Sequence, residues 1–195
     1  MLDTSVWLWL GVALLFFWAI GAYNRLVRMR TAVVKAFAAL DEQLVRQLVW
    51  VQGCLPESMR DGAQTSPGEL QDDATAAWTR LQATSEQFAA ALAQARLQPV
   101  DGGPAMSSLV MAHEALRAAW GAALADAVPP GTTPSADRLQ QRWLRLLHQS
   151  LPLRTAFNDT AMAYNRALGQ FPASVLARLA GFKPAGTITR LSEGR

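Results

Sequence analysis

The run "VWLWLGVALLFFWAIGAY", from Val6 to Tyr23, carries no charged residue, and the helical period that starts in it continues to Leu55. About 18 consecutive apolar residues carry a helix across a hydrocarbon core of about 30 Å. Trp7, Trp9, Trp18 and Tyr23 lie toward the two ends of the run, where amphipathic rings settle at a membrane interface. A secretory signal needs a positive leader and a small-x-small break. Met1, Leu2 and Asp3 supply no such leader, and the helical pattern runs on without a break. The expectation is a short N-terminal segment over 1–5 and a retained transmembrane helix over 6–23.

The flanks give the run a direction. Arg25, Arg28, Arg30 and Lys35 follow it at once, while the other side offers only the amino group against Asp3. The positive-inside rule places the N-terminus outside and the remaining chain in the cytoplasm, at the bacterial inner membrane. The same four cations are candidates for lipid head-group contact, each contributing about 1 kcal/mol near an anionic surface.

Beyond the span, Leu26, Val33, Phe37, Leu40, Leu44, Leu48, Val51 and Leu55 recur at three- and four-residue steps, with one place skipped at Arg30. No proline or glycine interrupts the chain between Ala22 and Gln52. One helix from the membrane to about Leu55 is therefore expected, a rod of about 75 Å. A loop follows from Pro56, with capping-box spacing at Ser66-Pro67-Gly68-Glu69. A second helix carries Leu70, Ala74, Ala77, Leu81, Phe88, Leu92 and Ala95. After the turn Pro99–Pro104 a third carries Leu109, Val110, His113, Leu116, Trp120 and Leu124. A fourth, capped by Ser135 and running from about Ala136 to Phe171, carries Leu139, Trp143, Leu146, Leu153, Phe157, Tyr164, Leu168 and Phe171. Pro152 should bend it.

These stripes predict an all-α fold in which the transmembrane helix continues into a long antiparallel bundle of about four helices with coiled-coil-like packing, over 24–182. A flexible tail is expected over 183–195. One tryptophan outside the membrane falls in each helix, Trp50, Trp78, Trp120 and Trp143, and these read as core or boundary residues.

Composition narrows the function. The chain has 195 residues, a formal charge of +3 and a single cysteine, Cys54, which leaves no internal disulfide and no multi-cysteine metal site. Its basic residues are interleaved with acids or gathered beside the span. The triplet Arg138, Arg142 and Arg145 reads as a solvated helix face, so no nucleic-acid partner is expected. His113 and His148 sit on different helices, and His113-Glu114 lacks the spacing of metal ligands. Asp72-Asp73 suits a helix N-terminus, Gly102-Gly103 a turn, and Ser150 beside His148 has no orienting acid. No enzyme activity, no cofactor and no metal are expected.

The late helix carries one more pattern. In "FNDTAMAYNRALGQFP" an aromatic followed by a small polar or rigid residue returns every seven positions, as Phe157-Asn158, Tyr164-Asn165 and Phe171-Pro172. Residues seven apart on a helix nearly align. The aromatics are expected to pack into the bundle, and the asparagines to bond across to another helix and fix register. The segment after Pro172 places Val175, Leu176, Leu179 and Phe182 on a short amphipathic helix that covers the bundle end or touches lipid.

With Tyr23-Asn24 directly after the span, these pairs and the closing Gly181-Phe182 resemble the LemA family of bacterial membrane-anchored helical proteins. The resemblance covers roughly the first fifty residues and the last forty, and the middle matches only in helical character. It implies a membrane-tethered bundle without a settled enzymatic activity, with some relatives linked to organising membrane compartments. Two functional readings follow: a scaffold or oligomerising module whose partners are membrane lipids, itself or other membrane proteins, and, alternatively, a ligand-binding sensor with a pocket near the tryptophans.

Overall fold

The structure, a computed structural model, describes residues 4–55, 73–126 and 133–188. The chain is all-α over these residues, in five helices: α1 (Thr4–Cys54), α2 (Asp73–Leu97), α3 (Gly103–Asp126), α4 (Thr133–Gly169) and α5 (Ala173–Leu179). The expected cap at Ser66, the stripe residue Leu70, Asp72 and the tail beyond Ile188 lie outside the described residues.

α1 is one uninterrupted helix, as the absence of breakers between Ala22 and Gln52 requires. Its two halves meet different surroundings. From Val6 to Phe17 every side chain is exposed, including Leu14 at 73% and Phe17 at 72%. The apolar segment is long enough to cross a membrane, and among the described residues nothing buries it. From Leu26 onward the stripe is buried: Leu26, Val33, Phe37, Leu40, Leu44, Leu48, Val51 and Leu55 all belong to the core. The skipped place, Arg30, is exposed and ion-paired to Asp101 at 3.0 Å.

Two pairings build the body, α1 along α4 and α2 along α3. Partners descend α4 as α1 is climbed: Leu26 clusters with Ala167, Phe37 meets Phe157 edge-on at 5.8 Å, Gln43 reaches Gln149, and Trp50 stacks on Trp143. Ala77, Leu81, Phe88, Leu92 and Ala95 of α2 and Leu109, Leu116 and Trp120 of α3 join the same core. Arg96 of α2 holds Asp41 of α1 at 2.8 Å, and this contact with its carboxylate partner raises the arginine's pKa further.

The fourth helix differs from its expected bounds at both ends. It begins at Thr133, so Ser135 lies inside it, and it ends at Gly169. Its chain passes through Pro152. Because regular turns stop before Phe171, that ring leaves the line set by Phe157 and Tyr164. Both of those are buried, whereas Phe171 is 84% exposed. The aromatic edge therefore has two members.

α5 ends by a specific device. Gly181 has φ +71°, its N–H donates to the Arg178 carbonyl at 3.3 Å, and the Phe182 N–H donates to the Ala177 carbonyl at 2.9 Å. These are the two reversed bonds of a Schellman ending, with glycine at the left-handed position where a Cβ would be strained. Phe182 and Ala177 then close the accompanying apolar contact with Leu26.

Candidate functional site

The asparagine pairs build the most specific polar arrangement in the chain. Asn165 Nδ2 donates to the Ala185 carbonyl at 2.9 Å, and its Oδ1 accepts the Ala185 N–H at 2.7 Å. Asn158 does the same with Ile188, at 2.9 and 2.8 Å. Each carboxamide thus replaces a neighbouring strand, exchanging both bonds with one residue of extended chain. Seven residues of helix advance about 10.5 Å, and three residues of extended chain about 10 Å. The heptad spacing of the asparagines therefore matches the step from Ala185 to Ile188.

Just before those anchors the Lys183 carbonyl accepts from the Tyr164 hydroxyl at 3.2 Å. Burial raises the phenol's pKa, Arg30 opposes the rise and Asp101 adds to it. Asn158 and Asn165 do not bond another helix, because the chain's own end occupies the groove they face. The stretch expected to begin a flexible tail is held, from Lys183 to Ile188, as a strap. Ala185 and Ile188 are buried in the core. Gly186 passes so close to α3 that a Cβ there would meet Gly103 Cα at 2.9 Å and Met106 Cγ at 3.1 Å. The strap lies between the start of α3 and α4, and those helices meet directly further along, where Trp120 touches the Trp143 ring and bonds Gln140.

The remaining signature residues gather where α1 leaves its apolar segment. The Tyr23 ring packs on Phe182 at 5.7 Å, Asn24 is exposed, and Phe171-Pro172 forms a cis peptide. Arg25 and Arg28 are exposed here and Lys35 is exposed about 18 Å further along α1, while Arg30 points to Asp101. A groove of about 520 Å³ opens beside them, bounded by Tyr23, Arg30, Val34, Pro99, Asp101 and Phe182.

A second polar group is enclosed in the body. Gln43 and Gln47 both send Nε2 to the Leu146 carbonyl, at 3.4 and 3.0 Å, and Gln47 Oε1 faces His113 Nε2 at 2.9 Å. An oxygen in that place makes the ring nitrogen the donor, so Nδ1 holds the bare lone pair of a neutral imidazole. Nδ1 is buried and meets no hydrogen-bond partner among the described residues. Desolvation, with help from Arg117 and Arg154, lowers the imidazole pKa from 6.5 to about 4. The cavity against His113, Ser150 and Arg154 measures about 10 Å³, room for one water molecule and for no substrate.

The other catalytic candidates are dispersed. Glu114 pairs with Arg117 at 3.2 Å, Ser150 Oγ donates to the Leu147 carbonyl of its own helix, and His148 is exposed. Arg138, Arg142 and Arg145 are exposed. Among the described residues no three of His, Cys, Asp and Glu come together. Trp50, Trp120 and Trp143 form one cluster, with ring centroids 4.7, 6.0 and 5.7 Å apart, and Trp78 packs against the same core.

The strap was hidden from sequence reasoning because its bonds come from the main chain of Lys183, Ala185 and Ile188, which leaves no side-chain signature. The matching lengths of seven helical and three extended residues were the available signal. No protein-family model, curated protein or solved structure matches the chain.

Proposed function

We propose that this chain is a single-pass, membrane-anchored bundle, LemA-like, that acts as a scaffold or oligomerising module at the inner membrane without catalysis of its own. In this reading the N-terminus is outside, the body is cytoplasmic, and the helices pack as an antiparallel, coiled-coil-like bundle. The carrying observation is α1. One helix presents an apolar surface with no protein cover along its first third and a buried core stripe along the rest. Water would leave at least Leu8, Leu14, Leu15, Phe16 and Phe17 unsatisfied, at about 1.5–3 kcal/mol each on full burial, and a bilayer removes that cost.

Rigid continuity supports the scaffold role, since a helix shared by anchor and core fixes the body at the membrane without a linker. The exposed cations just after the span support the orientation. The sensor reading wants space among the tryptophans, and the ring-on-ring packing of Trp50, Trp120 and Trp143 argues against it. The test is carbonate extraction of membranes followed by crosslinking of the full chain from exposed body positions. Retention in the pellet, with crosslinks to itself or to membrane proteins, is expected. A strictly monomeric protein with no crosslinked partner would contradict the scaffold role.

A further inference from the structure

We propose that α5 and the turn before it form a second membrane contact, in which the face carrying Phe171, Val175 and Leu179 lies in the interface of an anionic bilayer. The inference rests on reading α1 as a membrane anchor, and three observations carry it.

The first is level. A crevice of about 380 Å³ has Trp18, Ala22 and Arg25 of α1 on one wall and Phe171, Pro172 and Ala173 on the other. Trp18 lies five residues before Tyr23, about 7.5 Å inside the charge-free run. The turn into α5 therefore stands beside the end of the apolar segment, where the bilayer surface meets the body.

The second is direction. Ala177 is buried against Leu26 and Ala167. Val175 and Leu179 stand two positions to either side of it, about 200° around the helix. They point away from the bundle, at 51% and 82% exposure, and Phe171 is equally uncovered at 84%. Large apolar side chains left exposed on one short helix and on the turn that leads into it mark a surface that is covered in use.

The third is charge. No Asp or Glu occurs in α1 before Asp41 or in the chain from Thr160 to Ile188. Arg25, Arg28, Arg166, Arg178 and Lys183 are all exposed at this end. Asp101, the acid that meets it, is paired with Arg30. An apolar face rimmed by cations fits the interface of an anionic membrane. A second copy of the same face would bring the cations together, which disfavours it as the cover.

The test uses the full chain with Cys54→Ala and one added cysteine, labelled with an environment-sensitive dye and reconstituted in phosphatidylcholine–phosphatidylglycerol vesicles containing nitroxide lipids. Labels at Phe171→Cys and Leu179→Cys are expected at a depth of about 5–10 Å, as for an interfacial helix. A label at Leu14→Cys reports the anchor, and one at Arg138→Cys, toward the other end of α4, reports bulk water. Quenching at Leu14 with Phe171 and Leu179 no more quenched than Arg138 overturns the proposal and leaves the anchor standing. No quenching at Leu14 removes the anchor and the proposal together. Vesicles of phosphatidylcholine alone should lessen quenching at Phe171 and Leu179, and equal quenching in both lipids would overturn the anionic preference.

Discussion

Asn165 and Ala185 exchange two hydrogen bonds, the side-chain amide donating to the Ala185 carbonyl at 2.9 Å and accepting its N–H at 2.7 Å. One helical side chain thereby fixes both the position and the direction of the chain's last described segment. Asn158 repeats the arrangement at Ile188, so the strap is set at two points in one register.

Asn165→Ala leaves the Ala185 N–H and carbonyl without their partner and should cost about 1–3 kcal/mol. Asn165→Asp keeps the acceptor and loses the donor, setting a carboxylate oxygen against a carbonyl. Both variants are expected to speed amide exchange at Ala185, and Asn158→Ala at Ile188, while the α2 and α3 amides keep their protection. Uniform loss of protection across the body would show that the strap is not a separate unit.

Gly186→Ala tests the same seam from the other side. Its added Cβ would meet Gly103 Cα at 2.9 Å, a backbone atom that cannot rotate away. A penalty of about 1–3 kcal/mol is expected, read as a lower denaturation midpoint, with Gly103→Ala no substitute because a Cβ there meets nothing within 4 Å.

His113 gives the fold an acid-sensitive element. Its pKa is near 4 in the folded chain against 6.5 unfolded. Between these values the unfolded chain binds the proton and the folded chain does not, so the part of the stability carried by His113 falls as pH drops from about 6.5 toward about 4 and changes no further below. At 1.36 kcal/mol per unit the full effect is about 3 kcal/mol. His113→Gln retains a donor for Gln47 and removes the titration. Unfolding of the two proteins across this window should show the parent chain losing stability relative to the variant as the pH falls.

Trp120 is 1% exposed, touches the rings of Trp50 and Trp143, and donates Nε1 to Gln140 at 3.3 Å. Trp120→Ala should cost about 3–5 kcal/mol, and Trp120→Phe distinctly less. Equal stability of the alanine variant would mean that this end of the body is loosely packed.

The residues that were legible are those whose side chains repeat with the helix. Every member of the α1 stripe from Leu26 to Leu55 is buried, and the one skipped place is an exposed arginine, because a 3.6-residue period places such positions on one face whatever covers them. Phe171 was misplaced by the same logic: the heptad continues in the sequence, but the helix stops at Gly169. The strap could not be read from apolar period at all, since Ala185 and Ile188 take part through the main chain. Nor could the gathering of Trp50, Trp120 and Trp143, which depends on how the helices are set against one another. Each stripe shows that a helix is covered, not which neighbour covers it.

We propose that α1 fixes the body to the cytoplasmic side of a membrane. The most direct measurement is labelling of the full chain carrying Cys54→Ala and Arg138→Cys with a membrane-impermeant maleimide, in the membrane fraction of cells treated before and after rupture of the inner membrane. Labelling only after rupture is the predicted result. Labelling of intact cells, or loss of the protein from the membrane fraction, would contradict it.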